Sequence, residues 1–165
     1  MISLKLLILP TALLLPLSVQ AAEMSKSGTE SITVTWVTTS SSSMKLGDRS
    51  FDTYEHAGLM RNAAGKGMFN NFAIRIVGSG ETAGKDRIDR GADIFTDRDG
   101  DQIFDIWEGK VVEGGEAGTS KITGGTGKFA GISGTGEWSV VDYFIDSDDK
   151  RARGVVASKF TWKLP

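Results

Sequence analysis

The sequence contains no cysteine, and His56 is its single histidine. Without cysteine the fold has no disulfide bonds, so its stability must come from packing and hydrogen bonding, and a lipid-modified N-terminal cysteine is excluded. One histidine cannot build a zinc site with several histidine ligands. A Ser-His-Asp triad would have to use His56, but no G-x-S-x-G motif is present, so the sequence does not indicate a serine hydrolase of that kind.

Strong charge of either sign is also missing. The chain has a net charge of −2 at pH 7 and neither a basic patch nor a block of like charges. Such a weak charge gives no electrostatic attraction for nucleic acid or anionic lipid. We therefore expect no nucleic-acid partner, and no membrane partner once the N-terminal segment described next is removed. Proline occurs only at Pro10, Pro16 and Pro165, so none interrupts the strands predicted below.

The N-terminal segment has the composition of a secretory signal peptide. Lys5 supplies a positive charge, and residues 6–17 form an apolar run that is short for a bilayer span. Val19-Gln20-Ala21 then provides a small-residue cleavage site. The sequence predicts a signal peptide over residues 1–21, a single domain over residues 22–165, and a periplasmic or secreted protein.

The rest of the chain has the pattern of short strands separated by glycine and polar turns. Alternation of apolar and polar residues, typical of half-buried strands, marks eight segments: 32–37, 49–57, 67–77, 88–96, 101–108, 119–123, 134–145 and 154–164. We interpret the serine-rich residues 38–47 as a loop, and Asp99-Gly100 as a tight hairpin turn. The pattern predicts an all-β fold, an antiparallel, roughly eight-stranded, calycin-like barrel, with a two-sheet sandwich as the alternative.

A glycine-rich stretch, residues 122–138, raises the question of a nucleotide site. It lacks the Ser or Thr that follows Gly-Lys in a P-loop, and its glycine spacing is one residue longer than G-x-G-x-x-G. Its large apolar residues, Phe129, Ile132 and Trp138, favour burial over a flexible linker. We interpret the stretch as barrel scaffold in which residues 127–131 turn tightly and Phe129 plugs one end. No cofactor is expected.

Two segments of the sequence resemble a known family. GGTGKFAGISGTGEW, preceded by DRDGDQIFDIWEG, resembles the allene-oxide-cyclase-like barrel group, in particular its small exported bacterial members, and the fold of this group is shared with plant dirigent proteins. The resemblance spans the chain from about Trp36 to Trp162. It implies an eight-stranded barrel with an apolar cavity, often oligomeric in the plant proteins, and specifies no activity. The plant cyclases have proline and cysteine around their site, which this chain lacks there, so the resemblance assigns no catalytic residue.

Four carboxylates around the predicted hairpin turn have a spacing similar to that of a calcium-binding loop. Asp97, Asp99, Asp101 and Asp105 stand at positions 1, 3, 5 and 9, and calcium prefers oxygen ligands. Position 6 is Gln102 rather than glycine, however, and an ordinary hydrated hairpin explains the same residues. We therefore expect no metal site, with calcium at these four residues as the alternative.

Large apolar residues on the inward strand faces are candidates for the wall of a ligand cavity. They are Trp36, Phe72, Ile74, Phe160 and Trp162. The same residue types serve either core packing or a pocket for an apolar ligand, and sequence does not separate a filled barrel from a hollow one. We interpret His56 as an ordinary strand or loop residue, although Glu55 and His56 would be the available acid–base pair.

The sequence thus predicts an exported, soluble barrel that binds a small apolar or aromatic ligand without catalysing its conversion. One alternative is a cyclase- or isomerase-like enzyme that confines and orients its substrate, since confinement needs no conspicuous nucleophile. Another is a structural or interaction barrel with a filled core. A homo-oligomer is compatible with all three.

Overall fold

Eight antiparallel strands close into a barrel in the computed structural model, which describes residues 24–165. The strands are β1 (Ser27–Leu46), β2 (Arg49–Asn62), β3 (Phe72–Ala83), β4 (Asp86–Thr96), β5 (Gln102–Val112), β6 (Gly115–Gly125), β7 (Ser133–Ile145) and β8 (Ala152–Lys163). Each strand pairs with the next in sequence, and β8 pairs with β1 to close the sheet. The predicted antiparallel eight-stranded barrel is confirmed, and the sandwich alternative is wrong. The predicted signal peptide, residues 1–21, lies outside the described residues.

The two-residue alternation of the sequence decides which side chains point into the barrel. On β3, Phe72 and Ile74 are each 5% exposed, whereas Arg75 faces solvent. Phe160 and Trp162 follow the same pattern on β8. Because successive side chains of a strand point to opposite faces, every strand contributes one inward row to the barrel.

The serine-rich run, residues 38–47, is mostly strand rather than the predicted loop. A β-bulge between Thr38 and Ser40 shifts the register, after which β1 continues to pair with β2 as far as Leu46. Backbone pairing with β2 sustains the strand here, so the exposed side chains need no apolar alternation. The pairing of β1 with β8 ends at Val37, and the β1–β2 hairpin therefore extends beyond the closed part of the barrel.

One end of the barrel is filled by phenylalanine side chains. Phe69 and Phe129, from the loops before β3 and β7, are 0% and 1% exposed. Their rings pack on the inward rows, with centroid distances of 5.2 Å from Phe69 to Phe160 and 5.6 Å from Phe129 to Phe72. Phe129 ends a short 3-10 helix, Gly127–Phe129, which confirms the predicted tight turn and plug. We call this filled part the closed end.

Phe69 lies in a turn, and not in the strand predicted over residues 67–77, because β3 begins later. Its φ of 62° is in the left-handed region that strand residues avoid. Two polar side chains hold this turn. The Met68 amide donates to Glu30 Oε1 at 3.2 Å, and Asn62 Nδ2 donates to the Met68 carbonyl at 3.0 Å. These bonds satisfy polar groups beside the plug that would otherwise be buried without partners.

The turns of the β1–β2, β3–β4, β5–β6 and β7–β8 hairpins lie at the opposite end, which we call the open end. Several apolar side chains near these turns are exposed, among them Met44, Leu46, Tyr143, Phe144 and Ile145. Within residues 24–165, no helix is long and apolar enough to cross a bilayer. The inward rows thus run from a packed core at the closed end toward a less filled open end.

Candidate functional site

A cavity of about 110 Å³ lies inside the barrel, between the packed core and the open end. Phe95 and Phe160 form its floor, and Val34, Val140 and Val156 contribute an aliphatic wall. An apolar cavity of about 150 Å³ holds one benzene molecule. The space therefore suits a molecule no larger than about a single ring.

Four aromatic side chains surround this cavity, one at every second strand interface, and each lies opposite a glycine. The cross-strand pairs are Trp36↔Gly154, Tyr54↔Gly78, Trp107↔Gly91 and Trp138↔Gly118. A Cβ atom added at any of these glycines would lie 2.3–2.5 Å from the facing ring, which is too close for contact. The rings therefore lie along the wall where glycine leaves room. We call these four aromatic residues the aromatic belt.

His56 lies between two members of the aromatic belt and also lines the cavity. Its ring stacks on Trp36 at a centroid distance of 4.1 Å and on Tyr54 at 4.7 Å. Its Nδ1 is 3.1 Å from the Thr38 hydroxyl oxygen. Burial lowers the pKa of His56 to about 4, so the imidazole is neutral at physiological pH.

The imidazole of His56 should therefore titrate with a midpoint near pH 4 in the folded protein. The unfolded chain, with an ordinary histidine pKa of about 6.5, binds this proton more readily. Hence His56 lowers the free energy of unfolding as the pH falls from about 6.5 toward 4. NMR titration of the ring protons measures the midpoint, and the same histidine in urea is the control. A folded midpoint above pH 6 would contradict the buried stack.

Two carboxyl groups lie side by side on the inner wall, between the floor and the aromatic belt. Asp93 on β4 and Asp105 on β5 are a directly opposed cross-strand pair, for which Cβ separations are about 4.5–5.5 Å. The Trp107 indole N–H donates to Asp93 Oδ1 at 2.9 Å. Asp105 is 2% exposed, and neither of its carboxyl oxygens has a hydrogen bond of normal geometry in the described part of the chain, although the Ser120 hydroxyl and the Ile106 and Lys121 amides lie close enough to lower its pKa.

Burial changes the protonation of this pair. It raises the pKa of Asp105 to about 7, and it raises the pKa of Asp93 well above its usual range, where the nearby charge of Asp105 adds to the effect. Two carboxylates this close do not ionise independently, so the pair retains a proton near neutral pH. The cavity therefore contains a proton donor and a proton acceptor next to each other.

Two further polar atoms on this side of the cavity lack partners. The hydroxyl of Ser120 on β6 and the indole N–H of Trp138 on β7 are buried and have no hydrogen-bond partner among residues 24–165. Both residues line the cavity with Asp105. Buried polar groups are normally paired, so unpaired ones that face a cavity indicate where a ligand or water binds.

A charged network lies between the aromatic belt and the turns of the open end. Arg87 donates to both oxygens of Asp52, at 2.7 and 2.9 Å, and to both oxygens of Asp89, each at 2.6 Å. The Tyr54 hydroxyl donates to Asp89 at 2.8 Å. Glu116 lies beside this network, where burial and the charge of Asp89 raise its pKa to about 7. Because two carboxylates neutralise Arg87, its charge is not available to a ligand.

The structure brings together three of the five residues predicted to line a cavity. Trp36, Ile74 and Phe160 do line it. Phe72 and Trp162 lie instead in the packed core of the closed end, 5% and 3% exposed. Phe72 is the inward residue before Ile74 on β3, and Trp162 is the inward residue after Phe160 on β8. Both therefore lie nearer to the closed end than the residues that line the cavity.

The four aspartates considered for calcium do not converge on one point. Asp97 and Asp99 form ion pairs with Lys128, and Asp101 Oδ2 accepts the Lys128 amide at 3.2 Å. Asp105 faces the barrel interior. Across residues 24–165 there is no group of three or more His, Cys, Asp or Glu side chains placed to hold a metal ion.

The Glu55–His56 acid–base pair is not formed either. Neighbouring residues of a strand face opposite sides, so Glu55 lies on the outer surface, where Arg75 Nη2 is 3.0 Å from its Oε2. Sequence reasoning missed the Asp93–Asp105 pair instead. A signal for it exists, because Asp105 stands in phase with Ile103 and Trp107, two residues that a strand would turn inward.

The barrel is similar to the solved structure of a pterocarpan synthase dirigent protein. The two share a TM-score of 0.52 and 12% sequence identity, over 93% of this chain and 100% of the other. This similarity confirms the dirigent-like barrel at the level of fold, and at this identity it carries no activity with it. No protein-family model matches the chain. No curated protein matches it in sequence.

Proposed function

We propose that this protein binds one small, mainly apolar molecule, about the size of a single aromatic ring, inside the barrel. The cavity itself carries the proposal, because about 110 Å³ remains unfilled in a barrel whose other end is densely packed. The aromatic belt and the aliphatic wall favour an apolar ring or a similar group. The unpaired polar atoms of Asp105, Ser120 and Trp138 favour a ligand that also carries a polar group.

The charges of the cavity disfavour an anionic ligand. Its acidic lining residues are Asp93, Asp105 and Glu116, and no lysine or arginine from the described chain lines it. A ligand carboxylate would meet like charges in a poorly solvated space, which is unfavourable. We therefore propose a neutral or positively charged ligand rather than a fatty acid.

We also propose that the protein acts outside the cytoplasm, in the periplasm or the medium. The support is the N-terminal composition, with Lys5, the apolar residues 6–17 and a cleavage site at Ala21. A homo-oligomer is part of this proposal, because association of copies at the open end would bury exposed apolar side chains such as Met44 and Tyr143.

An enzyme is the second candidate, and the Asp93–Asp105 pair is the observation that favours it. One carboxyl group of the pair holds a proton near neutral pH while its neighbour can accept one. A pair of this kind can move a proton on a confined substrate, as general acid–base catalysis requires.

Filling the cavity should abolish binding and leave the barrel folded. Val156 lines the cavity, and Val155 lies beside it on the opposite face of β8. Val156→Phe places a ring in the space, whereas Val155→Phe adds the same side chain outside. We expect native mass spectrometry to detect a small-molecule adduct on the wild type and on Val155→Phe only. We also expect phenol, used as a ring-sized probe in NMR titrations, to bind Val156→Phe at least tenfold more weakly.

Equal binding of phenol by the two variants would contradict the proposed site. Failure of the wild type to bind any ring-sized probe, together with a clean unliganded mass, would contradict ligand binding itself. Chemical analysis of the released molecule separates the two candidate functions. A carrier returns its ligand unchanged, whereas an enzyme converts it.

A further inference from the structure

We infer that the occupant of the cavity is a small organic cation, an ammonium group with short apolar substituents. Its charge lies against Asp105, and its substituents contact the aromatic belt. The inference rests on the proposed function and narrows the chemical class of its ligand.

The first support is a buried carboxyl group that has no positively charged partner among the residues that line the cavity. Asp105 is 2% exposed, lines the cavity and has no hydrogen bond of normal geometry to either oxygen within the described residues. The Ser120 hydroxyl and the Ile106 and Lys121 amides lie close enough to lower its pKa, but they offset only part of the effect of burial. A buried carboxylate without a partner is strongly unfavourable. A positive charge in the adjacent space removes that penalty, because it supplies the missing counter-charge.

The second support is the aromatic belt. Three of its four members are tryptophan, whose ring face attracts cations more strongly than that of tyrosine or phenylalanine. Each ring lies along the wall on a glycine, but His56 stacks on Trp36 and on Tyr54, so Trp107 and Trp138 are the members whose rings are not covered by that imidazole. Trp107 and Trp138 meet edge to face at a centroid distance of 5.7 Å, and two such rings form a corner of the kind of aromatic site that recognises methylated ammonium groups.

The third support is the charge of the side chains that line the cavity, which are acidic or neutral. Strand β4 contributes Asp93, β5 contributes Asp105, β6 contributes Glu116, and β2 contributes the neutral side chains of Tyr54 and His56. Strands β1, β3, β7 and β8 place no charged side chain in the lining. The nearest cation of the network above, Arg87, is already held by Asp52 and Asp89. A bound cation therefore meets carboxyl groups and no competitor.

Charge balance makes the affinity for such a cation depend on pH. In the empty cavity the Asp93–Asp105 pair keeps a proton, because burial raises the pKa of Asp105 to about 7. Glu116, with a pKa also raised to about 7, is the other acidic group in reach. A bound cation favours the ionised carboxylate and releases the proton, so binding should tighten as the pH rises from 6 to 8. A neutral ligand should show neither proton release nor this pH dependence.

Two probes of the same shape test the inference. Choline and 3,3-dimethylbutan-1-ol differ only in whether the branched centre is a charged nitrogen or a carbon atom. We expect calorimetry at pH 8 to show choline binding at least tenfold more tightly than the alcohol. Titrations in buffers of different ionisation enthalpy should show proton release for choline alone. Asp105→Asn should remove the preference for choline, whereas Asp99→Asn, which removes the same charge at a 73% exposed site, should preserve it.

The possible outcomes distinguish failure of the cation inference from failure of the proposed ligand binding. The inference is overturned if the alcohol binds as tightly as choline. It is also overturned if the affinity for choline changes neither with pH nor in Asp105→Asn. In both cases ligand binding itself stands. If phenol binds in the cavity and choline does not, the inference is likewise overturned. If neither the two isosteric probes nor phenol binds, the inference and the proposed function both fail.

Discussion

Asp105→Asn is expected to make the protein more stable at pH 8, by about 2 kcal/mol or more, even though it alters the candidate site. The carboxyl group of Asp105 has a pKa of 3.8 when exposed and about 7 in the folded barrel. Because the folded state holds this proton more tightly, the free energy of unfolding falls as the pH rises from about 4 to 7. Each pH unit between the two pKa values is worth about 1.4 kcal/mol, so the full penalty is about 4 kcal/mol above pH 7. The buried amide that replaces the carboxylate reduces the gain.

Urea unfolding at pH 4 and pH 8 measures this effect. The difference between Asp105→Asn and the wild type should be small at pH 4, which is close to the pKa of the exposed carboxyl group so that little of the penalty has developed, and large at pH 8. Asp99→Asn is the control for loss of one negative charge, and its effect should be small at both pH values because Asp99 is exposed. If Asp105→Asn is less stable than the wild type at pH 8, the ionised carboxylate of Asp105 has stabilising partners in the folded protein and the prediction is wrong.

Phe69→Ala should cost about 3–5 kcal/mol of unfolding free energy, because it empties the centre of the closed end. The Phe69 side chain is 0% exposed and its ring packs against Phe72, Phe95 and Phe160. Phe95 and Phe160 also form the floor of the cavity. Removal of Phe69 should therefore extend the cavity through its floor, and the variant should accept larger probes than phenol.

Phe144→Ala is the matched control, since Phe144 is 50% exposed and the same truncation removes little packing there. Urea unfolding of both variants measures the cost, and NMR titration with phenol and with the larger probe naphthalene measures the change in capacity. A loss below 1 kcal/mol for Phe69→Ala would mean that the turn before β3 does not plug the barrel. Unchanged probe preference would mean that the two spaces stay separate.

The alternation of apolar and polar residues made the fold predictable from the sequence. The pairing register between strands was not predictable, and with it the residues that meet at the candidate site. Apolar and polar residues alternate regularly on β3 and β8, with Phe72, Ile74, Phe160 and Trp162 among the apolar ones. This pattern predicts that one face of each strand is buried. The serine-rich end of β1 shows no such alternation. Its strand depends on hydrogen bonds from β2, and such a partner is invisible when one segment is considered alone.

The candidate site required pairings between residues far apart in the chain. Trp36 faces Gly154, and Tyr54 faces Gly78, only because the strands close in one register. The aspartate at position 105 looked like part of a hydrated turn because Asp97, Asp99 and Asp101 precede it. Its inward phase with Ile103 is the feature of the sequence that indicates burial. Export, cellular location and association with copies of the chain stay predictions.

The division of the barrel into a filled end and a hollow end also bears on how such a protein diverges over generations. Phe69 and Phe129 carry much of the packing, so exchanges there threaten folding itself. Val140 and Val156 border empty space and are not among the buried core residues, and a lineage can replace them to admit a new molecule at little cost in folding. The glycines under the aromatic belt are the exception, because any side chain there displaces a ring. Inherited variation should therefore be richest in the aliphatic wall of the cavity and poorest at those glycines.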